Sequence, residues 1–328
     1  MYADLSLRLP STTARWSAPE FRTELTEWVV GQVGPLVSAE PVRQRPWSTV
    51  WRMEASSGVF FAKQNTPLQA FEARLVTVLA ESAPAYVIPV SAADADRDLL
   101  LTPDQGEVLG DVSDPLEVVT RVMRAAAELQ RELVPHGGAL AAAGLTPLAP
   151  ADVLPYVQQR LDEIAALPAD DPRAFEPGAA DRLEAALPSI AAAVDEVASL
   201  DLPLTLNHND LHTNNVFEVD GRMRFFDFGD AMLTEPLGAL RVPLGGLAQR
   251  LEVPLDDARL LRAVEPALEV WSDLVPLPEL RSALPSALRL GRLARCESWL
   301  RCMPSMTEQE LGEYGEAGAY WLAEVADD

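Results

Sequence analysis

Lysine is nearly absent from this 328-residue chain: Lys63 stands alone among 26 basic residues, and the other 25 are arginine. Cysteine is scarce too, with only Cys296 and Cys302, six apart in a helical-looking stretch where that spacing turns them off one another's face. Two cysteines and three histidines at these positions make neither a disulfide framework nor a zinc site, so free, buried thiols in a reducing compartment are expected. Long apolar runs are missing: nothing approaches the ~20 residues of a membrane span, and the opening MYADLSLRLPSTTARW has no basic segment followed by an apolar one. A cytoplasmic protein with no membrane partner is the expectation. Positive charge is outnumbered, 26 basic residues against 50 acidic ones, for a net charge of −24. That field repels nucleic acid and anionic lipid surfaces and favours a cationic partner.

What is present is enough apolar material, 48% of the chain, to bury a sizeable core, in a length that suits two lobes. Residues 18–36 carry apolar side chains at helical spacing and predict a leading helix. The texture then changes to short apolar runs, PVRQRPWSTVWRMEA and VFFAKQ, separated by the turn chemistry of Ser56-Ser57-Gly58. A helix over 67–82 opened by Pro67 follows, then two strand-like segments, YVIPVSA and DLLLTP. This β-rich part, residues 1–103, ends near Pro103–Gly106, and residues 104–328 are mostly helical, with helices expected at about 114–134, 151–167, 178–199, 236–251, 256–271, 283–302 and 307–326. The Pro- and acid-rich stretch 168–180 reads as a surface loop.

One short segment, 205–230, breaks the helical texture. There VFEV and MRFFDF flank Asp220-Gly221, a two-residue hairpin signal. Asp210 and Asn215 precede the hairpin and Asp227 follows it, so the ribbon returns three oxygen-bearing side chains to one edge. Phosphoryl transfer needs such a set: a carboxylate to orient an acceptor hydroxyl, and hard oxygen ligands for magnesium ions on the nucleotide phosphates. Upstream, the sole lysine sits in a strand-like run, where a compact ammonium suits a phosphate oxygen better than a planar guanidinium. Strand alternation puts Phe61 on the same face as Lys63, a place for a ring beside the nucleotide base.

The motif His208-Asn209-Asp210-Leu211-His212 with Asn215, followed by Asp227-Phe228-Gly229-Asp230, resembles the catalytic and metal-binding loops of the protein-kinase-like superfamily, in its aminoglycoside phosphotransferase and choline kinase branch. The resemblance implies an α+β, protein-kinase-like two-lobe fold, with a small β-rich nucleotide-binding N-lobe over 1–103 and a larger, mostly helical catalytic and substrate-binding C-lobe over 104–328. It implies Asp210 as catalytic base, Asn215 and Asp227 as Mg2+ ligands, and Lys63 on the α- and β-phosphates of ATP or GTP, held by Glu72 on the following helix. Glu81 on that helix competes with Glu72 for the part. His208 and His212 fall to fixing the loop by hydrogen bonds.

Some positions depart from the family pattern. Asn209 replaces a frequent glycine, and RPWSTVW has no glycine, which leaves the Ser48 and Thr49 hydroxyls as candidates to face the phosphates. TEPLGALRV lacks the acidic residue many relatives carry before a Leu-Ala pair, so a structural carboxylate is expected to be missing. The activity implied is a small-molecule kinase. Retention of Asp210 speaks against a nucleotide-binding pseudokinase, and no Ala-Pro-Glu activation segment follows Asp227, which speaks against a protein kinase. Acid-rich surfaces at 162–171, Glu265–Asp273 and Glu308, Glu310, Glu313 and Glu316 suit a cationic acceptor such as an aminoglycoside or other antibiotic. A sugar, choline-like alcohol or amino alcohol serves the same machinery.

Overall fold

The computed structural model describes residues 2–327; the end residues of the two expected spans, 1 and 328, lie outside it. After α1 (Thr12–Trp16) and α2 (Pro19–Val33) come β1 (Leu36–Arg45), β2 (Ser48–Ala55), β3 (Gly58–Asn65), α3 (Glu72–Ser82), β4 (Ala92–Asp94) and β5 (Leu99–Pro103). The strands form one antiparallel sheet in the order β1-β2-β3-β5-β4. Ser56-Ser57 closes the β2–β3 hairpin, and Gly58, at φ +140°, takes a conformation that side-chain-bearing residues avoid. Alternation then sorts the faces. Trp51 and Met53 of β2 and Phe60 and Ala62 of β3 are buried against Trp16, Phe21, Leu25 and Val29 of the two leading helices. Each large side chain buried there contributes ~1.5–3 kcal/mol. The opposite face of β3 carries Phe61 and Lys63, both only half-buried.

Two expectations in this region shift. The helix predicted from Pro67 begins at Glu72, because Pro67 opens a 3-10 turn through Gln69 and the Phe71 N–H folds back onto the Gln69 carbonyl. Glu72 thereby becomes the first residue of α3. The strand predicted in YVIPVSA is mostly irregular: Pro89 has no N–H for a ladder, Val87 makes one isolated bridge to Phe225, and only Ala92–Asp94 pairs with β5.

The second region contains α4 (Pro115–Leu133), α5 (Gly137–Ala143), β6 (Pro147–Leu148), α6 (Pro150–Ala165), α7 (Ala179–Ser199), β7 (Thr205–Asn207), β8 (Val216–Val219), β9 (Arg222–Phe225), β10 (Met232–Thr234), α8 (Arg241–Leu251), α9 (Ala258–Glu269), α10 (Leu277–Cys302), α11 (Glu308–Tyr314) and α12 (Glu316–Ala323). Helices α7, α8, α9 and α12 pack against α10, whose side chains are buried along most of its length, and α4 packs on α9. Asp220 and Gly221, at φ +52° and +75°, make the β8–β9 hairpin with the backbone twist that two-residue loops require. Helix α5 and the three-stranded sheet β6-β10-β7 have no counterpart in the sequence reading.

Residues 2–9, counted with the first lobe by position in the chain, lie on the helical region. Ala3 and Leu5 are buried in its core, the Ala3 N–H donates to Glu297 Oε1 at 2.6 Å, and the Leu9 N–H donates to the Pro304 carbonyl at 2.7 Å. Among the described residues no helix is long and apolar enough to cross a membrane.

Candidate active site

Lys63 is fixed on both sides, because β3 pairs with β2 through Val50 and with β5 through Leu100. Its ammonium lies 2.5 Å from Glu72 Oε2 and 2.5 Å from Asp227 Oδ1. Glu72 is itself held: its Oε2 accepts from Asn65 Nδ2 at 2.7 Å and its Oε1 from the Phe228 N–H at 2.7 Å. Asn65 also donates to Asp98, whose carboxylate accepts from the Ala73 N–H at the start of α3. Burial pushes the Glu72 carboxyl upward, opposed by Lys63. Burial favours the neutral amine at Lys63, yet Asp227 and Glu72 outweigh it and raise the ammonium above its ordinary value. Lys63 therefore stays charged.

β7 delivers the loop that carries Asp210. His208 Nε2 bonds the Phe226 carbonyl at 2.9 Å, its ring lies 4.8 Å from that of Phe228, and burial lowers its pKa. Asn209 stands at φ +63°, the left-handed region that glycine and asparagine tolerate, so its replacement of glycine is conformationally sound. Its side chain then adds what glycine lacks, donating to the Asp230 carbonyl at 3.1 Å and the Ala294 carbonyl at 2.7 Å. Asp210 Oδ2 lies 3.3 Å from His212 Nε2 and 3.2 Å from Asn215 Nδ2, while Oδ1 lies 3.2 Å from the Arg295 guanidinium. Burial alone would raise this carboxyl, but His212 and Arg295 outweigh burial and hold it well below the usual carboxylate range. His212 is raised in turn, chiefly by its bond to Asp210.

The ends of the hairpin meet: the Phe226 N–H donates to the Asn215 carbonyl at 3.3 Å. Asn215 spends its amide N–H on Asp210, which leaves the side-chain oxygen free of that bond. Asp227, at φ +64°, keeps a side chain about one third exposed (36%) and turned to Lys63. The Asp227 carboxylate and the Asn215 amide oxygen are hard donors of the kind magnesium takes.

The fold thus gathers Lys63, Glu72 and Asp227 into direct contact and seats Asn215 on Asp210. Glu81 is exposed, so Glu72 has no competitor. Phe61 lies on the Lys63 face. The two hydroxyl candidates separate. Ser48 is opposite Asn65 in the ladder and shares the Lys63 face, whereas Thr49 shares the Trp51 face, is 1% exposed and accepts the Trp51 indole N–H at 3.1 Å. Thr49 is turned into the core, away from the face that carries Lys63. Within TEPLGALRV, Glu235 is buried and accepts from the Leu237 N–H at 2.7 Å and the Gly238 N–H at 2.6 Å, a buried carboxylate that ties the following turn.

Asp230, given no role in the motif, and Arg295 also join the site. Asp230 accepts from Gln69 Nε2 at 2.8 Å and from Ser298, and Arg295 donates to the Asn209 carbonyl at 2.7 Å. Asp230 was legible as the fourth residue of its motif. Nothing singles Arg295 out among 25 arginines. The acidic surfaces also resolve differently, for Glu163, Asp171, Glu265 and Asp273 pair with Arg160, Arg173, Arg281 and Arg131, and Glu310 caps Thr307. These carboxylates are engaged with neighbours and do not gather around Asp210.

A family pattern described as the phosphotransferase enzyme family matches residues 44–237. No curated protein matches the chain in sequence. Among solved structures, the ethanolamine kinase of Plasmodium vivax superposes with a TM-score of 0.63 at 11% identity, covering 93% of this chain and 88% of that one. The GDP complex of an aminoglycoside 2'-phosphotransferase gives 0.59 at 12%, covering 91% and 95%. Choline kinase LicA from Streptococcus pneumoniae gives 0.58 at 11%, covering 94% and 100%. At these identities the likeness is one of fold, a mixed architecture with an antiparallel N-terminal sheet and a helical C-terminal region.

Proposed function

The chain belongs to the phosphotransferase enzyme family, and from that premise we propose that it moves the γ-phosphoryl group of ATP or GTP to a hydroxyl of a small molecule, with Asp210 as the base. The observation that supports this most is the convergence of Lys63, Glu72 and Asp227 with Asp210 and Asn215 at the two ends of one hairpin. The acceptor oxygen forms a bond to the γ-phosphorus, the bond to the β–γ bridging oxygen breaks, and the hydroxyl proton passes to Asp210 as the nucleoside diphosphate leaves. Asp210 is a weak base, held ionised by His212 and Arg295. That suits a loose transition state in which the acceptor needs orientation more than early deprotonation.

Lys63 exchanges its bond to Asp227 for the α- and β-phosphate oxygens, while Glu72, fixed by Asn65 and Phe228, keeps hold of the ammonium. Asn215 and Asp227 would hold magnesium, which when bound neutralises charge between the phosphates. Phe61 lies on the same face of β3 and lines the way to the base, and Ser48, though buried, is the one of the two hydroxyls on the Lys63 face. A screen of hydroxyl compounds that reads nucleoside diphosphate release tests the proposal. Asp210→Asn should lower turnover by about 10²–10⁴-fold on any acceptor found, with nucleotide binding kept. Turnover within tenfold of wild type would overturn the assignment.

A further inference from the structure

What else the acceptor carries can be read from the walls around Asp210, given the phosphotransferase reading. Trp47, Asp230, Arg295, Ser298 and Trp299 line the cavity that opens on Asp210. Its carboxylates are engaged. Asp230 Oδ1 accepts from Gln69 and Ser298, and Oδ2 faces Arg295 at 3.4 Å; Asp210 Oδ2 is taken by His212 and Asn215. Only Asp210 Oδ1, shared with Arg295, remains for a hydroxyl proton. One donor is unspent, the buried Trp299 indole N–H, which has no acceptor.

The aromatic faces are also occupied. The Arg295 guanidinium lies over Trp299 at 6.0 Å and over Trp321 at 5.9 Å, and Arg241 lies over Trp321 at 5.6 Å. A cation brought to these rings would meet a like charge already seated there.

The row of guanidinium groups continues past Trp321. Arg241, the first residue of α8, is seated by a missing side chain: a Cβ on Gly245 would stand 2.4 Å from its terminal nitrogen. It makes no hydrogen bond or ion pair with any described residue, and its Nε is buried without an acceptor. Arg292, one turn before Arg295 on α10, donates to the Asp327 carbonyl at 2.8 Å, and its Nε also lacks an acceptor. Burial lowers the pKa of both and Arg292 lowers Arg241 further, while the fields of Glu324 on both and of Asp327 on Arg292 offset this only in part. Arg160, more deeply buried, has Glu163 and Glu297 as ion-pair partners. Arg292 is buried and Arg241 half-buried, and neither has an ion-pair partner among the described residues; a guanidinium drawn out of water without a paired acid is costly, and an anion arriving from outside would offset that cost.

We propose that the phosphate acceptor is itself an acid, whose oxyanion docks on Arg241 and Arg292 near Trp321, the ring that both Arg241 and Arg295 lie over, while its hydroxyl rests on Asp210. Guanidinium forks match both carboxylate and phosphate oxygens, so either a hydroxy acid or a phosphorylated sugar satisfies the row. A cationic amino alcohol does not.

The test uses the full chain saturated with Mg·ADP, so that the nucleotide-phosphate site is filled, titrated with sulfate, acetate and choline while binding is followed by calorimetry. Sulfate or acetate should bind and choline should not, the stronger anion telling a phosphate group from a carboxylate. Arg241→Met should weaken anion binding at least tenfold. Gly245→Ala, which keeps the charge but displaces it, should do the same. Among acceptors, hydroxy acids or sugar phosphates should release more ADP from ATP than the matching amino sugars. Anions that fail to bind, or that bind equally to all three proteins, would overturn the inference, as would turnover confined to amine-bearing acceptors. If Mg·ADP binds while the anions do not, the acidic acceptor is refuted and the phosphotransferase reading stands. A wild-type chain that does not bind Mg·ADP counts against the latter, and anion binding lost with Arg241 would still support the anion site.

Discussion

Gly291 carries α10 past the 3-10 turn Leu237–Leu240 with backbone against backbone, and adding one methyl group there should be felt at the active site. A Cβ on Gly291 would stand 2.4 Å from the Gly238 carbonyl oxygen and 3.1 Å from its carbonyl carbon and Cα. No side chain can rotate to relieve that contact, so helix or turn must retreat by roughly 1 Å. Overpacking of this kind costs about 1–3 kcal/mol, and the high end applies because both partners are main chain. Alanine returns up to ~1 kcal/mol of helix propensity. The net is a loss of about 2 kcal/mol, which at about 2–4 °C per kcal/mol lowers Tm by roughly 4–8 °C.

Function should fall as well. Arg295 lies one turn beyond Gly291 and 3.2 Å from Asp210, and a misplacement of about 1 Å costs about 10²-fold in rate. Differential scanning calorimetry and diphosphate release on an identified acceptor measure the two effects. Gly246→Ala is the control, for its Cβ would meet nothing within 4 Å. Gly291→Ala with the Tm and turnover of wild type would refute the reasoning about how α10 positions Arg295.

Lys63→Arg should fold but lose about 10²-fold in kcat/KM, because the planar fork cannot occupy the ammonium's place between Glu72 and Asp227; the near-complete burial of Glu72 adds a stability cost of about 1–3 kcal/mol, and full activity would mean that another group binds the phosphates. Glu235 makes a pH prediction: burial pushes its carboxyl from 4.5 up to about 7, against the N–H groups of Leu237 and Gly238. Between those values the native state binds the proton that the unfolded chain has released, so this contribution to stability is full below about pH 4.5 and is lost as pH rises through about 7. Urea melts at pH 5 and 7.5 should show Glu235→Gln flattening that slope, and a slope left unchanged would place the titration elsewhere.

The cluster around Lys63 was legible where its signals are local. The lone lysine in an alternating strand and Asp220-Gly221 between two apolar runs mark Lys63, Asn215 and Asp227 by short-range rules, whereas Glu72 is preferred to Glu81 only through the family resemblance. Ser48 and Thr49 were not told apart because the choice depends on ladder register across the Ser56-Ser57 turn, where one step sends a side chain to the other face. Helix α5 was hidden by Gly137-Gly138, poor helix formers overridden by tertiary packing that leaves Leu140 fully buried. The proposed acceptor side was illegible for a different reason. Arg241, Arg295, Trp299 and Trp321 come from three helices far apart in the chain, and nothing local distinguishes them from other arginines and tryptophans.

The central claim is that Asp227 and Lys63 serve a magnesium-bound nucleotide, and calorimetry of nucleotide binding with and without Mg2+ tests it most directly. In the wild-type protein Mg2+ should strengthen binding, and Asp227→Ala should abolish that gain while leaving the weaker metal-free binding to Lys63. A gain from Mg2+ that survives unchanged in Asp227→Ala would contradict the account and place the metal away from this hairpin.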